Sequence, residues 1–228
     1  MNKHDLADDR VTKLWTRFYE EQGYLVHQVN SKNGKGVKSV NGLIQQACRE
    51  KIERNRRRGI LNRPMRAMIA GIPNVGKSTF INSFAGKACT KTGNKPGVTK
   101  GKQWIRLNSQ VELLDTPGIL WPKFDDQNVG LHLAYIGSIK DELYNMFELG
   151  MLLTGYIMEA YPEILSDFYQ IDMEDKAEYY LESIAKRRGF LKTGGELDFD
   201  KAAKCLVDDY RLGRLGRISL EEPKDIAG

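Results

Sequence analysis

Apolar positions repeat along the chain with two different periods, and the change from one regime to the other divides it. Leu6, Val11, Leu14, Trp15 and Phe18 recur at helical spacing and predict a helix over 6–21. Tyr24 to Val29 is a short strand-like run, closed by the turn-forming Asn30-Ser31-Lys32-Asn33-Gly34. Leu43, Ile44, Ala47, Cys48 and Ile52 mark one face of a second helix. Met65 to Ala70 reads as an apolar strand feeding a glycine-rich loop, and Ser78 to Phe84 opens a helix behind it. Lys102 to Leu107 and Val111 to Leu114 make two strands around a turn at Asn108-Ser109. Strands alternating with helices predict an α/β fold.

Beyond about residue 138 the strand pattern stops. Leu143, Met146, Phe147, Gly150, Leu153 and Ile157 form one helical stripe; Ala177, Leu181, Ile184 and Ala185 form a second. Phe199, Ala202, Ala203, Leu206 and Tyr210 form a third. The pattern predicts an α/β domain over 1–137 and a small all-α domain over 138–228.

Composition narrows the setting. The 228 residues are 41% hydrophobic and 29% charged, enough for a buried core with a solvated surface. No apolar run reaches the roughly 18 residues of a membrane span, and the N-terminus carries acidic residues where a signal peptide would be apolar. Cys48, Cys89 and Cys205 are far apart, which fits a reducing cytoplasm rather than a disulfide framework or zinc site. The net charge of +5 is concentrated: Arg49 to Arg66 holds eight basic residues against two acidic ones. That stretch is either a solvated helix face or a footprint for RNA phosphates.

The chemistry begins at Gly71-Ile72-Pro73-Asn74-Val75-Gly76-Lys77-Ser78-Thr79, a phosphate-binding loop between a strand and a helix. Backbone N–H groups of such a loop turn inward to cradle phosphates. Lys77 reaches the β- and γ-phosphates, and the Ser78 hydroxyl ligates Mg²⁺. Asp115-Thr116-Pro117-Gly118 follows a strand, 38 residues past Lys77. There a carboxylate can hold Mg²⁺ through water, and the Gly118 N–H can meet the γ-phosphate. Between the two lies Lys95-Pro96-Gly97-Val98-Thr99; Thr99, rather than Thr90 or Thr92, is the candidate to complete the Mg²⁺ shell. Lys77, Thr99 and Gly118 are thus the catalytic candidates.

Asn2-Lys3-His4-Asp5 supplies the choice of base. The Asp5 carboxylate can accept from guanine N1–H and N2–H₂, donors that adenine lacks, which discriminates by roughly 10⁴-fold. Lys3 would lie over the base plane, and Asn2 would tie this reader to the phosphate loop. Backbone N–H groups at Ser31-Lys32 would meet guanine O6. His4 is the variable position of this motif and receives no role; His27 and His132 have no carboxylate or cysteine partner in sequence and are read as structural.

The order of these motifs, with the guanine reader ahead of the phosphate loop, resembles the circularly permuted GTPases of the YlqF/RbgA family. The likeness continues in Gly118-Ile119-Leu120-Trp121-Pro122-Lys123-Phe124 and in the helical tail through Gly194-Gly195. The resemblance implies a circularly permuted P-loop GTPase domain followed by a helical domain, in a cytoplasmic protein, most simply a monomer without membrane contact. Its nucleotide would be GTP or GDP, its metal Mg²⁺, and its partner the large ribosomal subunit with its rRNA, which the helical domain is thought to engage. Asn74 matches a phosphate-loop asparagine that ligates K⁺ in related GTPases; the plainer reading is a spacer. Ile119 stands where Ras-like enzymes carry the glutamine that orients water, which implies slow intrinsic hydrolysis.

Family members carry a segment ahead of the guanine reader: a basic stretch with a histidine, then a strand, a helix and a strand. This sequence starts at the reader. The expectation is a G domain truncated at its N-terminus, or a start assigned too late, with a poorly anchored reader loop and weak activity. Two other readings stay open: a nucleotide-dependent RNA-binding module with little hydrolysis, and an ATPase.

Overall fold

The computed structural model describes residues 1–61, 63–90, 101, 103–120 and 126–225. Thr99, with Lys95 to Val98, and Trp121 to Phe124 lie outside the described residues. The chain divides into two compact units, Met1–Pro122 with Glu221–Gly228, and Lys123–Leu220.

In the first unit, Asp9–Glu21 is α1, capped by the Asp8 carboxylate, which accepts from the N–H groups of Arg10 (2.6 Å) and Val11 (3.1 Å). The second expected helix forms as α2 (Val40–Ala47) and α3 (Arg49–Arg57). Cys48 N–H donates to Ile44 O and Ile52 N–H to Cys48 O, so helical hydrogen bonding continues across the junction. Gly59, in the left-handed region at φ 74°, ends α3, where the Ile60 N–H returns to Asn55 O.

Three strands make the sheet: β1 (Met65–Ile69), β2 (Gln103–Arg106) and β3 (Val111–Asp115). The order is β1-β3-β2, with β1 parallel to β3 and β2 antiparallel to it. The register pairs Ile69 with Asp115, so the end of β1 and the end of β3 reach the same level. One face, with Val111, Leu113 and Ile105, packs on Ile81, Phe80 and Phe84 of α4 (Lys77–Ala85). This alignment delivers both the phosphate loop and Asp115 to the carboxyl ends of the parallel pair, where ligands of α/β sheets bind.

The strand expected over Tyr24 to Val29 is reduced to bridges: Asn2 pairs parallel with Val29, and Asn30 antiparallel with Lys35. A strand needs a ladder alongside it. Alongside this segment the Val29 N–H donates to Met1 O at 2.8 Å, and among the described residues the only paired residue of the segment is Val29, by its single bridge to Asn2. Tyr24 and Leu25 are exposed.

The described elements of the second unit are helices: α5 (Gln127–Tyr135), α6 (Met146–Ala160), α7 (Ile164–Tyr169), α8 (Ala177–Arg188) and α9 (Phe199–Arg211). Leu153, Ile157, Leu181, Ile184, Ala203 and Leu206 are fully buried at its centre. Gly150 lets α6 approach α9: a Cβ there would stand 2.5 Å from the Ala203 Cβ. No helix among the described residues is long and apolar enough to cross a membrane.

Two boundaries differ from the pattern-based expectation. The division falls at Pro122/Lys123, not 137/138, because α5 buries Ala134 and Tyr135 in the helical core. Arg211 fixes it there, donating to Ala134 O (2.7 Å) and Tyr135 O (3.0 Å) while pairing with Asp141 (2.9 Å). At the other end, Glu221–Gly228 groups with the first unit, where the Trp15 indole N–H donates to Glu221 O and Arg10 pairs with Glu222. Leu143, expected in the first apolar stripe, is 72% exposed; α6 starts only at Met146, where Asn145 caps it by accepting from Phe147 and Glu148 N–H.

Candidate functional site

The phosphate loop turns through two left-handed residues, Asn74 (φ 60°) and Gly76 (φ 89°). Asparagine and glycine carry that conformation at least cost. Gly76 caps α4, whose first N–H groups have no acceptor inside the helix and open toward the loop. Ser78 and Thr79 stand in that first turn. The Lys77 ammonium folds back on the loop, donating to Gly71 O (3.0 Å) and Ile72 O (2.8 Å). Burial lowers the Lys77 pKa from the ordinary lysine value, and the nearby Asp115 carboxylate opposes that shift.

Asp115, at the end of β3, is 1% exposed, and its Oδ1 has no hydrogen-bond partner among the described residues. Burial raises its pKa, while Lys77 and a hydrogen bond with the Thr116 backbone pull it down. An orphaned buried carboxylate oxygen facing a phosphate loop is the donor chemistry that a hydrated Mg²⁺ needs. Asp115 and Ser78 therefore fit that ion. Thr116 anchors the segment by donating to Ile69 O at 2.6 Å. Gly118 lies hard against the loop: a Cβ there would stand 2.6 Å from Pro73 Cα and 2.7 Å from Pro73 N. Ile119 N–H reaches Gly71 O at 3.4 Å, and its side chain is 70% exposed.

The segment expected to read guanine joins this loop directly. Asn2 Nδ2 donates to Val75 O (2.9 Å) and Gly76 O (3.4 Å), and Asn2 Oδ1 accepts from Ser31 N–H (3.1 Å) and Ser31 Oγ–H (2.8 Å). The Lys3 ammonium donates to Asn74 O at 2.8 Å. Desolvation lowers the Lys3 pKa and Asp5 partly restores it. Asp5 stands in the 3-10 turn His4–Leu6 just beyond. The reader loop expected to lack an anchor is held from two sides, by the phosphate loop and by Ser31.

One expectation is altered. The N–H groups of Ser31 and Lys32, assigned to guanine O6, are already donated to side chains: Ser31 to Asn2, and Lys32 to Asn30 Oδ1 at 2.9 Å. Asn30 also accepts from Asn33 N–H (3.1 Å) and is buried. Its place at the head of a turn is the signal for an Asx turn and could have identified it. Asn82 was not legible: its Oδ1 accepts from Cys89 and Thr90 N–H (both 2.8 Å), holding the segment that leaves α4. The Thr90 hydroxyl is engaged there too, with Ser78 O (3.2 Å) and Asn82 Oδ1 (3.1 Å). Thr99 lies outside the described residues.

Comparison with known proteins bears on this arrangement. Residues 66–177 match the family model described as 50S ribosome-binding GTPase. The chain is 42% identical to ribosome biogenesis GTPase A of Bacillus cereus over 99% of its own length and 76% of that protein. It is 32% identical to ribosome biogenesis GTPase A of Thermotoga maritima, over 99% and 76% of the two chains. The crystal structure of GNP-bound YlqF from T. maritima superposes with a TM-score of 0.64 at 29% identity, covering 99% of this chain and 81% of that one. A GDP-bound YlqF structure gives 0.63 with 99% and 82% covered. With its three motifs gathered around one loop and this likeness running along nearly its whole length, the chain belongs to the ribosome biogenesis GTPase A (YlqF/RbgA) family of GTPases.

Proposed function

We propose that this chain binds GTP between the phosphate loop and the guanine reader and hydrolyses it as an assembly factor for the large ribosomal subunit. The observation that carries the reading is Asn2: one side chain bonds Val75 and Gly76 of the phosphate loop and Ser31 of the second reader segment. These bonds support a single site shared by three sequence-distant motifs, in the order expected of a circularly permuted G domain. Asp5 selects guanine. The loop N–H groups with Gly76, Ser78 and Thr79 hold the phosphates. Lys77 leaves the Gly71 and Ile72 carbonyls to reach them, and the Gly118 N–H faces the γ-phosphate. Ser78, Thr99 and Asp115 would hold Mg²⁺, which would neutralise phosphate charge when bound. Asn74 is assigned to K⁺. The helical domain engages ribosomal RNA, and the working form is a cytoplasmic monomer.

The aliphatic, exposed Ile119 offers no group to orient a water, which supports slow intrinsic hydrolysis stimulated by the subunit and K⁺. The same observation favours the second reading, an RNA-binding module that turns over little by itself. Phosphate release with and without purified large subunits, in K⁺ and in Na⁺, separates them. Stimulation by subunits supports the assembly GTPase; no stimulation under any condition leaves the binding module. Competition by ATP with an affinity comparable to GTP would remove the role given to Asp5.

A further inference from the structure

We propose that the outer face of α3 is a docking surface for the phosphate backbone of structured RNA. This rests on the assembly-factor reading and adds to it a contact on the nucleotide-binding unit itself. Ile52 and Asn55 are the half-buried residues of α3; its remaining positions are exposed. At about 100° per residue, Lys51, Arg54 and Arg58 fall on one stripe at i, i+3 and i+7, with Arg57 one turn from Arg54. Arg49 is paired with Glu53 (3.1 Å) and Arg66 with Glu112 (3.1 Å). Lys51, Arg54, Arg57 and Arg58 make no ion pair among the described residues.

Two features separate this face from an ordinary solvated helix. The helix dipole favours cations in the last turn, which suits Arg56 and Arg57, but it disfavours them near the start, where Arg49 and Lys51 stand. A stripe that is basic along its whole length is therefore not a capping device. Second, seven of the eight basic residues from Arg49 to Arg66 are arginine, the side chain whose planar fork matches phosphate oxygens. An anionic bilayer would need an apolar face on the same helix. Ile52 is the only apolar residue in α3 and it is half-buried. Phosphates of a folded RNA are the matching partner.

The test uses the full chain and the combined variant Lys51→Ala, Arg54→Ala, Arg57→Ala, Arg58→Ala. Binding to a fluorescent RNA hairpin is titrated from about 50 to about 200 mM KCl. The variant should lose about three from the slope of log affinity against log salt, at unchanged GDP affinity and unfolding midpoint. An unchanged slope overturns the proposal. So does an equal loss per charge in the control variant Lys13→Ala, Arg17→Ala on α1, which would mean diffuse charge. Binding to phosphatidylserine vesicles in preference to the hairpin, lost in the α3 variant, would make the face a membrane contact and overturn it too. Failure of the wild-type chain to sediment with purified large subunits counts against the assembly-factor reading alone, because the hairpin arm uses no ribosome.

Discussion

The side-chain amide of Asn2 occupies the space that a side chain on Gly76 would need. A Cβ at Gly76 would stand 2.4 Å from Asn2 Nδ2, and Gly76 is in the left-handed region at φ 89°. Reader and phosphate loop are thus interlocked at a point where no side chain fits.

This contact makes the two positions interdependent. Gly76→Ala is strained twice, by its backbone and by Asn2, and should abolish measurable GDP binding. Asn2→Ala leaves the Ser31 N–H and the Val75 carbonyl without their partner. An unsatisfied, partly buried group costs about 1–3 kcal/mol, so GDP affinity should fall roughly 10- to 100-fold. Calorimetric titration checks both. Asn2→Ala binding GDP as well as the wild type would mean that the bridge is incidental.

Asn30 should matter although it carries no motif. Its Oδ1 gathers the Lys32 and Asn33 N–H groups, and its own N–H and C=O bond Lys35 and Gly34. Guanine O6 can take the Lys32 N–H only in competition with, or shared with, this side chain. The turn nevertheless depends on it. Asn30→Ala should weaken GTP and GDP equally, by about 10-fold, the cost of roughly one lost hydrogen bond with its ordering. Selectivity against ATP should persist, because Asp5 is untouched. Equal affinity of variant and wild type would show that the turn holds without Asn30.

How much of this was legible follows from what each signal depends on. The phosphate loop, Asp115 and Asn2 were readable because their chemistry fixes residue types at fixed spacing. The strands β1 to β3 were readable because each has apolar positions bounded by turn residues. The run from Tyr24 to Val29 has the same pattern but forms no ladder, since pairing is decided by a neighbour rather than by its own residues. α5 escaped notice because its buried side is only Leu133, Ala134 and Tyr135, and its attachment depends on Arg211, about 75 residues away. Asn82 acts through backbone groups of a later segment, which no local pattern announces.

Packing between α6 and α9 gives a prediction that does not involve nucleotide. Gly150→Ala would place a methyl group 2.5 Å from the Ala203 Cβ and 2.9 Å from its Cα. Overpacking of this kind costs about 1–3 kcal/mol, and thermal unfolding should report it as a lower midpoint. Ala203→Gly in the same chain removes the colliding methyl and should restore part of the loss. If the double variant is as unstable as the sum of the two singles, the two positions are not in contact and the close approach of α6 and α9 is refuted.

Asp115 should show a conflict between stability and function. Burial raises its carboxyl pKa in the folded state. A group whose folded pKa is raised contributes stability below its unfolded pKa, and that contribution is lost as pH rises through the folded value. Above that folded value the carboxylate is ionised at a cost, relieved in part by Lys77, while Oδ1 makes no hydrogen bond among the described residues. Asp115→Asn removes the charge. In the absence of nucleotide and Mg²⁺ its unfolding midpoint should exceed that of the wild type near pH 7, and the difference should shrink as pH falls through the Asp115 pKa. Mg²⁺-dependent tightening of GTP binding should disappear in the same variant. Unfolding scans from pH 4 to 8 check the first part, and GTP titrations with and without Mg²⁺ the second. A midpoint below the wild type at pH 7 would mean that the attraction between Lys77 and Asp115 outweighs the burial of the charge.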